Sequence, residues 1–391
     1  FVAIPAVAAA VLAVVPIWYL VDRALSEGFS ELVDELWRAR TRDLVARSLV
    51  LATTVTALSV VIGVSAAWLV IRSDLRGRHV LRVLLALPLA VPSYLSAFAW
   101  VSWRPSLAGF SGATLVLVGV SYPFVYLPAA AALRRLDPAQ EEVARSLGHR
   151  RLSVVMRLTV RQIRPAVSAG ALLVMLYVLS DFGAVAAMRY EAFTWVIYGA
   201  YRAGFNPSRA AILATVLLVV ALVLVMLEAR ARGRAPASRL GSGSARRAVP
   251  VRLGRAAPLA WLFIATVLGA AVVFPVVRVL TWVTTFDSTA VDVGDVASAL
   301  VRTVFLATLA AVAATLVAMP VGLLAARYRS RTTSAIEGAT YITHALPGIV
   351  IAISLVFLGV RVLRPIYLET PLLIFGYVVL FLPLAVGAVR S

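Results

Sequence analysis

The chain has 391 residues, of which 62% are hydrophobic, and its mean hydropathy of +0.94 lies far above that of soluble domains. It contains no cysteine, which excludes disulfides, thiolate metal sites and a cysteine nucleophile. The formal net charge is +19, but most arginines stand in loops between apolar runs, so the charge indicates membrane topology and not nucleic-acid binding.

Apolar runs of membrane-spanning length recur along the whole chain and predict an all-α polytopic membrane protein. A β-barrel would show short alternating strands instead, and none are apparent in the sequence. We predict ten spans, near residues 1–21, 47–71, 80–101, 112–133, 167–188, 209–228, 258–281, 301–326, 337–360 and 370–389.

Arginine-rich loops alternate with acidic or mixed ones along the chain. The basic loops are 72–82, 134–166, 229–257 and 327–331. The positive-inside rule therefore places these loops and the N-terminus in the cytoplasm. Residues 229–257, rich in Arg, Gly and Ser, are predicted to be a flexible cytoplasmic linker.

A short polar segment interrupts the apolar pattern inside the second basic loop. Asp137 can cap a helix, Pro138 suits its first turn, and Gly148 can end it in a left-handed conformation. This pattern predicts a separate cytoplasmic helix at 138–148. A membrane protein that builds such a helix is expected to present it to a partner.

The two parts of the chain on either side of the linker resemble each other. The matching anchors are Arg47 with Arg302, Arg72 with Arg327, Leu87-Pro88 with Leu346-Pro347 after a four-residue shift, Tyr126-Leu127-Pro128 with Phe381-Leu382-Pro383, and Arg135 with Arg390. The interval holds six spans, so the halves have the same orientation and form a parallel repeat. We predict a first repeat at 1–228 and a second at 258–391, which is incomplete at its C-terminal end.

The polar segment resembles the EAA loop of permease subunits of binding-protein-dependent ABC importers. Glu142-Val143-Ala144, Gly148 and Leu158 fall on the positions of that pattern. The chain departs from it at Val160-Arg161, where the family has Leu-Pro, and Pro165 is expected to supply the missing helix break. The resemblance implies two six-helix repeats of the type I importer permease fold, the second one truncated.

The stretch Ser180-Asp181-Phe182-Gly183-Ala184, followed by Arg189-Tyr190 and Phe193-Thr194, is similar to the fused permeases of ferric-iron importers. The resemblance implies a subunit without enzymatic activity that works with two ATPase copies and an extracytoplasmic binding protein. ATP and magnesium would be held by the ATPase, and this chain would bind no cofactor. Related permeases import thiamine, polyamines, phosphonates or sulfate, and these substrates remain alternatives. The ATPase-coupling residues implied are Asp137, Glu141, Glu142, Ala144 and Gly148.

An acidic residue stands in the fifth predicted span and is a candidate for the translocation path. Asp181 is costly inside a membrane and is expected to face the bundle interior. It either gates the path or fixes a helix break by bonding to Ser180 or a backbone amide, and both interpretations stay open. The neighbouring candidates are Tyr177, Ser180, Phe182 and Gly183. Candidate hinges for alternating access are Pro88, Pro92, Pro347 and Pro383, which can equally be static kinks.

Other functions remain as alternatives. The chain has no lysine and so cannot form an ATP-binding P-loop. The dispersed histidines His79, His149 and His344 do not have metal-ligand spacing, so we expect no metal site. A twelve-span secondary transporter is the second candidate, since it also has parallel six-span halves. A channel or membrane scaffold would not require a docking helix.

Overall fold

The computed structural model describes residues 2–26, 28–136, 140, 143–144, 146–148, 151–202, 206–232, 250–285, 292–328, 330–342 and 347–390. The described chain is helical almost throughout, as the apolar runs predict. The helices are α1 Ala3–Leu25, α2 Phe29–Trp37, α3 Ala39–Arg72, α4 Arg78–Leu84, α5 Ser93–Trp103, α6 Phe110–Ser121, α7 Pro123–Arg135, α8 Val160–Ser180, α9 Gly183–Ala187, α10 Phe193–Arg202, α11 Pro207–Arg232, α12 Ala257–Leu268, α13 Phe274–Thr285, α14 Val293–Arg327, α15 Arg331–Ile342, α16 Gly348–Arg361 and α17 Thr370–Arg390.

Eight helical stretches within the described residues are long and apolar enough to cross a membrane, which confirms the membrane class. They correspond to eight of the ten predicted spans. The predicted span at 167–188 ends early, because α8 stops at Ser180 and α9 begins only at Gly183. The predicted ends of the other spans differ by several residues from the helix ends in the structure. They differ because the helices continue past the apolar runs into the loops.

The predicted third span, 80–101, is not a continuous helix. Arg78–Ala90 and Ser93–Trp103 meet at an angle of 86°. Val91 is extended, and Pro92 caps α5 with φ −60° and ψ 130°. Proline favours this break because it has no N–H to donate and because it disfavours helical geometry in the residue before it.

The predicted ninth span, 337–360, is also divided. α15 ends at Ile342, residues 343–346 lie outside the described residues, and α16 has 14 residues, fewer than the roughly 20 that cross a bilayer. Pro347 caps α16 with φ −58° and ψ 136°, the conformation that Pro92 has before α5. The four-residue shift in the repeat was therefore wrong: Pro347 corresponds to Pro92, at the same 255-residue interval that separates Arg47 from Arg302.

The chain divides into two compact units that are discontinuous in sequence. The first unit contains residues 1–46, 192–222 and 283–391, and the second contains 47–191 and 223–282. The first helix of each predicted repeat thus packs in the unit that holds most of the other repeat. The repeat boundaries at 228 and 258 stay a prediction, since they describe sequence equivalence and not packing.

In the first unit, α1 packs against α14, α15 and α16, and α14 packs along α17. Small alanines on α1, such as Ala6 and Ala13, are fully buried against Val321 and Val386. The extramembrane helix α2 is held by Glu35, which is 3% exposed. Its carboxylate accepts from Arg209 Nε at 3.0 Å and lies 2.6 Å from an Nη1 of Arg38.

The core of the second unit lies between α3, α7 and α12. Tyr126 and Leu133 of α7, with Tyr122 directly before the helix, pack with Val70 of α3 and Ile264 of α12. A β-carbon on Gly63 would lie 2.9 Å from a backbone nitrogen of α7, so glycine permits the close approach of α3 and α7.

The predicted linker 229–257 is helical at its start, because α11 continues to Arg232, and residues 233–249 lie outside the described residues. Its far end is fixed to the loop after α3. Val251 donates from its backbone N to the Arg72 carbonyl at 2.7 Å, and the Leu253 amide donates to Asp74 Oδ1 at 2.9 Å.

Candidate functional site

Asp181 stands at a helix break that the sequence predicted. α8 ends at Ser180, and Asp181 is extended, with φ −69° and ψ 124°. Its Oδ1 accepts from the backbone N of Ala184 at 2.7 Å, so the carboxyl group caps α9. Asp181 is only 8% exposed. The interpretation in which a backbone amide fixes the break thus agrees with this geometry.

The second partner of Asp181 comes from a distant part of the chain. Ser93 Oγ donates to Asp181 Oδ2 at 2.5 Å. Ser93 is the first residue of α5, directly after the break at Pro92. We call the contact of Ser93 and Asp181 the break junction, because it joins the breaks of two discontinuous membrane segments.

Close packing surrounds the break junction. A β-carbon on Gly183 would lie 2.9 Å from the β-carbon of Tyr94, so a larger residue would push α9 away from α5. Irregular backbone at membrane depth is tolerated where protein surrounds it or where it lines a cavity, and discontinuous helices of this kind often flank transport paths.

Tyr177 lies near Asp181 and shares Ser93 with it as a side-chain hydrogen-bond partner, whereas Ser180 has a partner of its own. Ser180 Oγ donates to the Leu176 carbonyl at 2.7 Å, so of the two partners considered for Asp181 the geometry agrees with the backbone amide. Tyr177 packs its ring against Phe124 with centroids 5.4 Å apart. Phe182 is half-buried. The sequence reasoning missed Ser93, for which the only signal was a hydroxyl next to a proline inside an apolar run.

The four candidate hinge prolines occupy different environments. Pro92 and Pro347 stand at the starts of α5 and α16, where the chain changes direction or the helix is short. Pro88 is buried in a 3₁₀ turn at 87–90, and Pro383 is buried within α17 without ending it. Pro92 and Pro347 are therefore the better hinge candidates.

Within the part of the chain that the structure describes, no three His, Asp or Glu side chains come together in a way that could hold a metal ion. His79 is exposed, and His149 and His344 lie outside the described residues. Asp181 has hydroxyl and amide partners, which stabilise a helix break and do not resemble the oxygen cluster that a hard cation requires.

The predicted cytoplasmic helix is described only in part. Gln140, Val143, Ala144 and Ser146 are helical, whereas Asp137, Glu141 and Glu142 lie outside the described residues. Gly148 has φ +84°, the left-handed conformation expected at a helix end, and no atom lies within 4 Å of where its β-carbon would be. Ala144 is half-buried.

Two apolar side chains of this helix that the sequence reasoning passed over face solvent. Val143 is 58% exposed and Leu147 is 74% exposed, and their spacing of four residues places them on one face. Together they form a small exposed apolar face on an otherwise polar loop. A hydrogen bond of 2.5 Å from Gln162 to Gln140 ties the helix to the start of α8.

The chain after this helix re-enters without the predicted break. Pro165 lies inside α8, so the expectation that it breaks the helix was wrong. A π-helical turn at Val155–Thr159 precedes α8 instead. A π-helical turn changes the direction of a helix while its backbone N–H and C=O groups stay hydrogen-bonded. A complete break inside the membrane would leave some of these groups without partners.

A family of known transport proteins matches the chain, and one relative aligns with 96% of it. The family model described as "Binding-protein-dependent transport system inner membrane component" matches residues 59–230. The Fe(3+)-transport system permease protein FbpB 2 of Haemophilus influenzae is 31% identical over 379 residues, which cover 96% of this chain and 75% of that protein. The molybdate/tungstate transport system permease protein WtpB of Pyrococcus furiosus is 28% identical over 48% of this chain and 78% of its own length. The sulfate transport system permease protein CysW of Synechocystis is 26% identical over 42% of this chain and 65% of its own length.

Proposed function

We infer the function from the premise that the chain belongs to the family of binding-protein-dependent ABC importer permeases. It is a membrane-embedded transport subunit and not itself an enzyme. Family membership removes the secondary transporter, the channel and the scaffold from consideration. It also implies an ATPase partner, which carries ATP and magnesium, and a substrate-binding protein.

We propose that the transported substrate is ferric iron. The observation that carries this proposal is the alignment with the Fe(3+) permease, which extends through both halves of the chain. The sulfate and molybdate/tungstate permeases align with about half of it, between 42% and 54% in three examples. Since this chain shows no metal cluster among its described residues, selection of the ion belongs to the binding protein.

Coupling to ATP hydrolysis is assigned to the cytoplasmic helix at 138–148. Val143 and Leu147 form an apolar face that an ATPase groove can cover, and Gly148 leaves room for close approach. Asp137, Glu141, Glu142 and Ala144 would flank this contact. Two ATPase copies would serve the two repeats, with the N-terminus in the cytoplasm and the spans in the inner membrane.

The break junction is assigned a positioning role in alternating access. Ser93 and Asp181 hold two helix breaks together, so they move as one body when the ATPases close. Tyr177, Ser180, Phe182 and Gly183 line or support this body. The helices would bend at Pro92 and Pro347. Pro88 and Pro383 would be static kinks that do not move.

The test uses the full-length permease reconstituted in liposomes with its ATPase and binding protein. We expect ATP hydrolysis to rise when the binding protein carries ferric iron and to stay basal when it is empty. Leu147→Asp should abolish this stimulation and weaken co-purification of the ATPase, since an exposed side chain costs the fold little. Leu368→Asp is the control, because Leu368 is 84% exposed in a loop on the opposite side of the predicted topology.

If molybdate- or sulfate-loaded binding protein stimulates ATP hydrolysis and iron-loaded protein does not, the assignment of ferric iron as the substrate is contradicted. Equal ATPase association in Leu147→Asp and Leu368→Asp would contradict the coupling face and leave the substrate assignment intact.

A further inference from the structure

Three arginines of the second unit stand close together where α4 approaches the end of α7. Arg78 and Arg82 stand one turn apart on α4, and both bond to carbonyls at the end of α3. The Tyr126 hydroxyl of α7 donates to the Arg82 carbonyl at 3.1 Å, and Arg134 lies about two turns further along α7, so its positive charge acts on Arg82. None of the three forms an ion pair with any residue that the structure describes. We call Arg78, Arg82 and Arg134 the arginine cluster.

Backbone contacts explain where two of the guanidinium groups lie. Arg78 Nη1 donates to the Ser73 carbonyl at 3.1 Å, and Arg82 donates from Nε and Nη2 to the Val70 carbonyl at 3.3 and 3.2 Å. These carbonyls belong to the end of α3 or to the residue directly after it, where the helix dipole favours positive charge. Each guanidinium has five N–H groups, so donors remain available beside Arg134.

The second repeat has a carboxylate of its own at the position equivalent to Arg82. The residues 255 positions later are Thr333, Glu337 and Val389, so a carboxylate and two uncharged residues replace the three arginines. The side chain of Glu337 is only 15% exposed and pairs with Arg390, the counterpart of Arg135. The first repeat keeps the arginine at 135 but has no carboxylate at 82.

The face of α4 away from the cluster is apolar and exposed. Val80 is 63% exposed and Val83 is 70% exposed. A short helix with one apolar exposed face and arginines on the other lies at a membrane interface, so the guanidinium groups stand at the depth of lipid head groups. The arginine-rich loops place this interface on the cytoplasmic side.

We propose that the arginine cluster binds the phosphate group of an anionic phospholipid of the cytoplasmic leaflet. The phosphate supplies to the first repeat the negative charge that the Glu337 carboxylate supplies to the second. Phosphate oxygens accept the paired N–H groups of arginine in a bidentate manner, and the fixed guanidinium groups lose little freedom on binding. A zwitterionic head group such as phosphatidylcholine brings a cation with its phosphate, so it would offset the mutual repulsion of the three arginines less.

The experiment measures phospholipid retained by the full-length permease, by native mass spectrometry, in mixed micelles with phosphatidylglycerol or phosphatidylcholine. Arg134→Gln is the primary variant, because Arg134 is exposed and caps no helix. A basic residue near the membrane surface contributes about 1 kcal/mol, so its loss should weaken phosphatidylglycerol binding about fivefold.

Arg82→Glu copies the second repeat and should remove the preference for phosphatidylglycerol altogether while the protein stays folded, because the new carboxylate lies beside Arg78 and Arg134. Arg331→Gln is the control, since Arg331 is an exposed arginine of the second repeat. It should retain lipid as the unaltered protein does.

Equal lipid retention in Arg134→Gln and Arg331→Gln would overturn the proposal, as would equal retention of both lipids by the unaltered protein. If inorganic phosphate stabilises the protein against heat as much as phosphatidylglycerol does at the same ionic strength, the bound phosphate does not come from a lipid, and the proposal is overturned. Displacement of the retained lipid when the ATPase binds would identify the cluster as a protein contact and would also overturn it.

Discussion

The break junction permits a quantitative test of whether Asp181 acts through its position or through its charge. Ser93→Ala removes the donor to Oδ2, and Asp181→Ala also removes the cap on Ala184. Hydrogen bonds between membrane helices contribute about 0.6 kcal/mol on average and up to about 1.7 kcal/mol. A bond of 2.5 Å to a buried carboxyl group belongs at the upper end, so Ser93→Ala should cost about 1.5 kcal/mol.

Asp181→Ala should cost about 2.5 kcal/mol, because a lost N-cap adds about 1 kcal/mol. The double variant should also cost about 2.5 kcal/mol, and not the additive value of about 4 kcal/mol, since the shared bond is lost only once. The assay is reversible unfolding in mixed micelles, followed by circular dichroism. Additivity within about 0.5 kcal/mol would refute the idea that this contact joins the two breaks.

Asp181→Asn separates position from charge. The amide oxygen can still accept from Ala184 N, and the amide nitrogen can donate to Ser93 Oγ, so the fold and most of the iron transport rate should be retained. Loss of transport by more than about tenfold at native stability would show that the carboxylate acts directly on the transported ion.

Two further substitutions test packing in the two units. Glu35→Gln should cost about 2–3 kcal/mol in the same unfolding assay, because hydrogen bonds to a buried charged group are lost, whereas Glu31→Gln on the exposed side of α2 should change stability by less than about 0.5 kcal/mol. Gly170→Ala should cost about 1–3 kcal/mol, since its β-carbon would lie 2.6 Å from a carbonyl oxygen of α7, and Gly199→Ala, where no atom lies within 4 Å, should be neutral or slightly stabilising. Equal effects in either pair would contradict the packing described.

The membrane class, eight of the ten spans and the break at Asp181 could all be predicted from the sequence. Burial of apolar side chains in lipid is an almost additive, local property, so a run such as 209–228 is sufficient evidence for a span. A carboxyl group inside such a run requires a local hydrogen bond wherever the helix goes. The resemblance of 137–148 to the EAA loop similarly depends on a short contiguous pattern.

The divided segments could be predicted only in part. The sequence shows Pro88 and Pro92 four residues apart, and the repeat was matched through Pro88. The structure turns by 86° at Pro92 and leaves Pro88 inside a 3₁₀ turn. Either proline removes one backbone donor, so the choice between them depends on which residues α5 can bury after the turn.

Sequence alone determined that this chain lies in a membrane, and it predicts two parallel repeats and a polar helix that contacts a partner, because these properties follow from local composition and spacing. Tertiary structure decided that Ser93 and not Ser180 bonds to Asp181, that Glu35 pairs with Arg209, and that the first helix of each repeat packs in the unit of the other. The reason is physical: those partners are 88 and 174 residues apart, and only the packing of whole helices brings such side chains into contact.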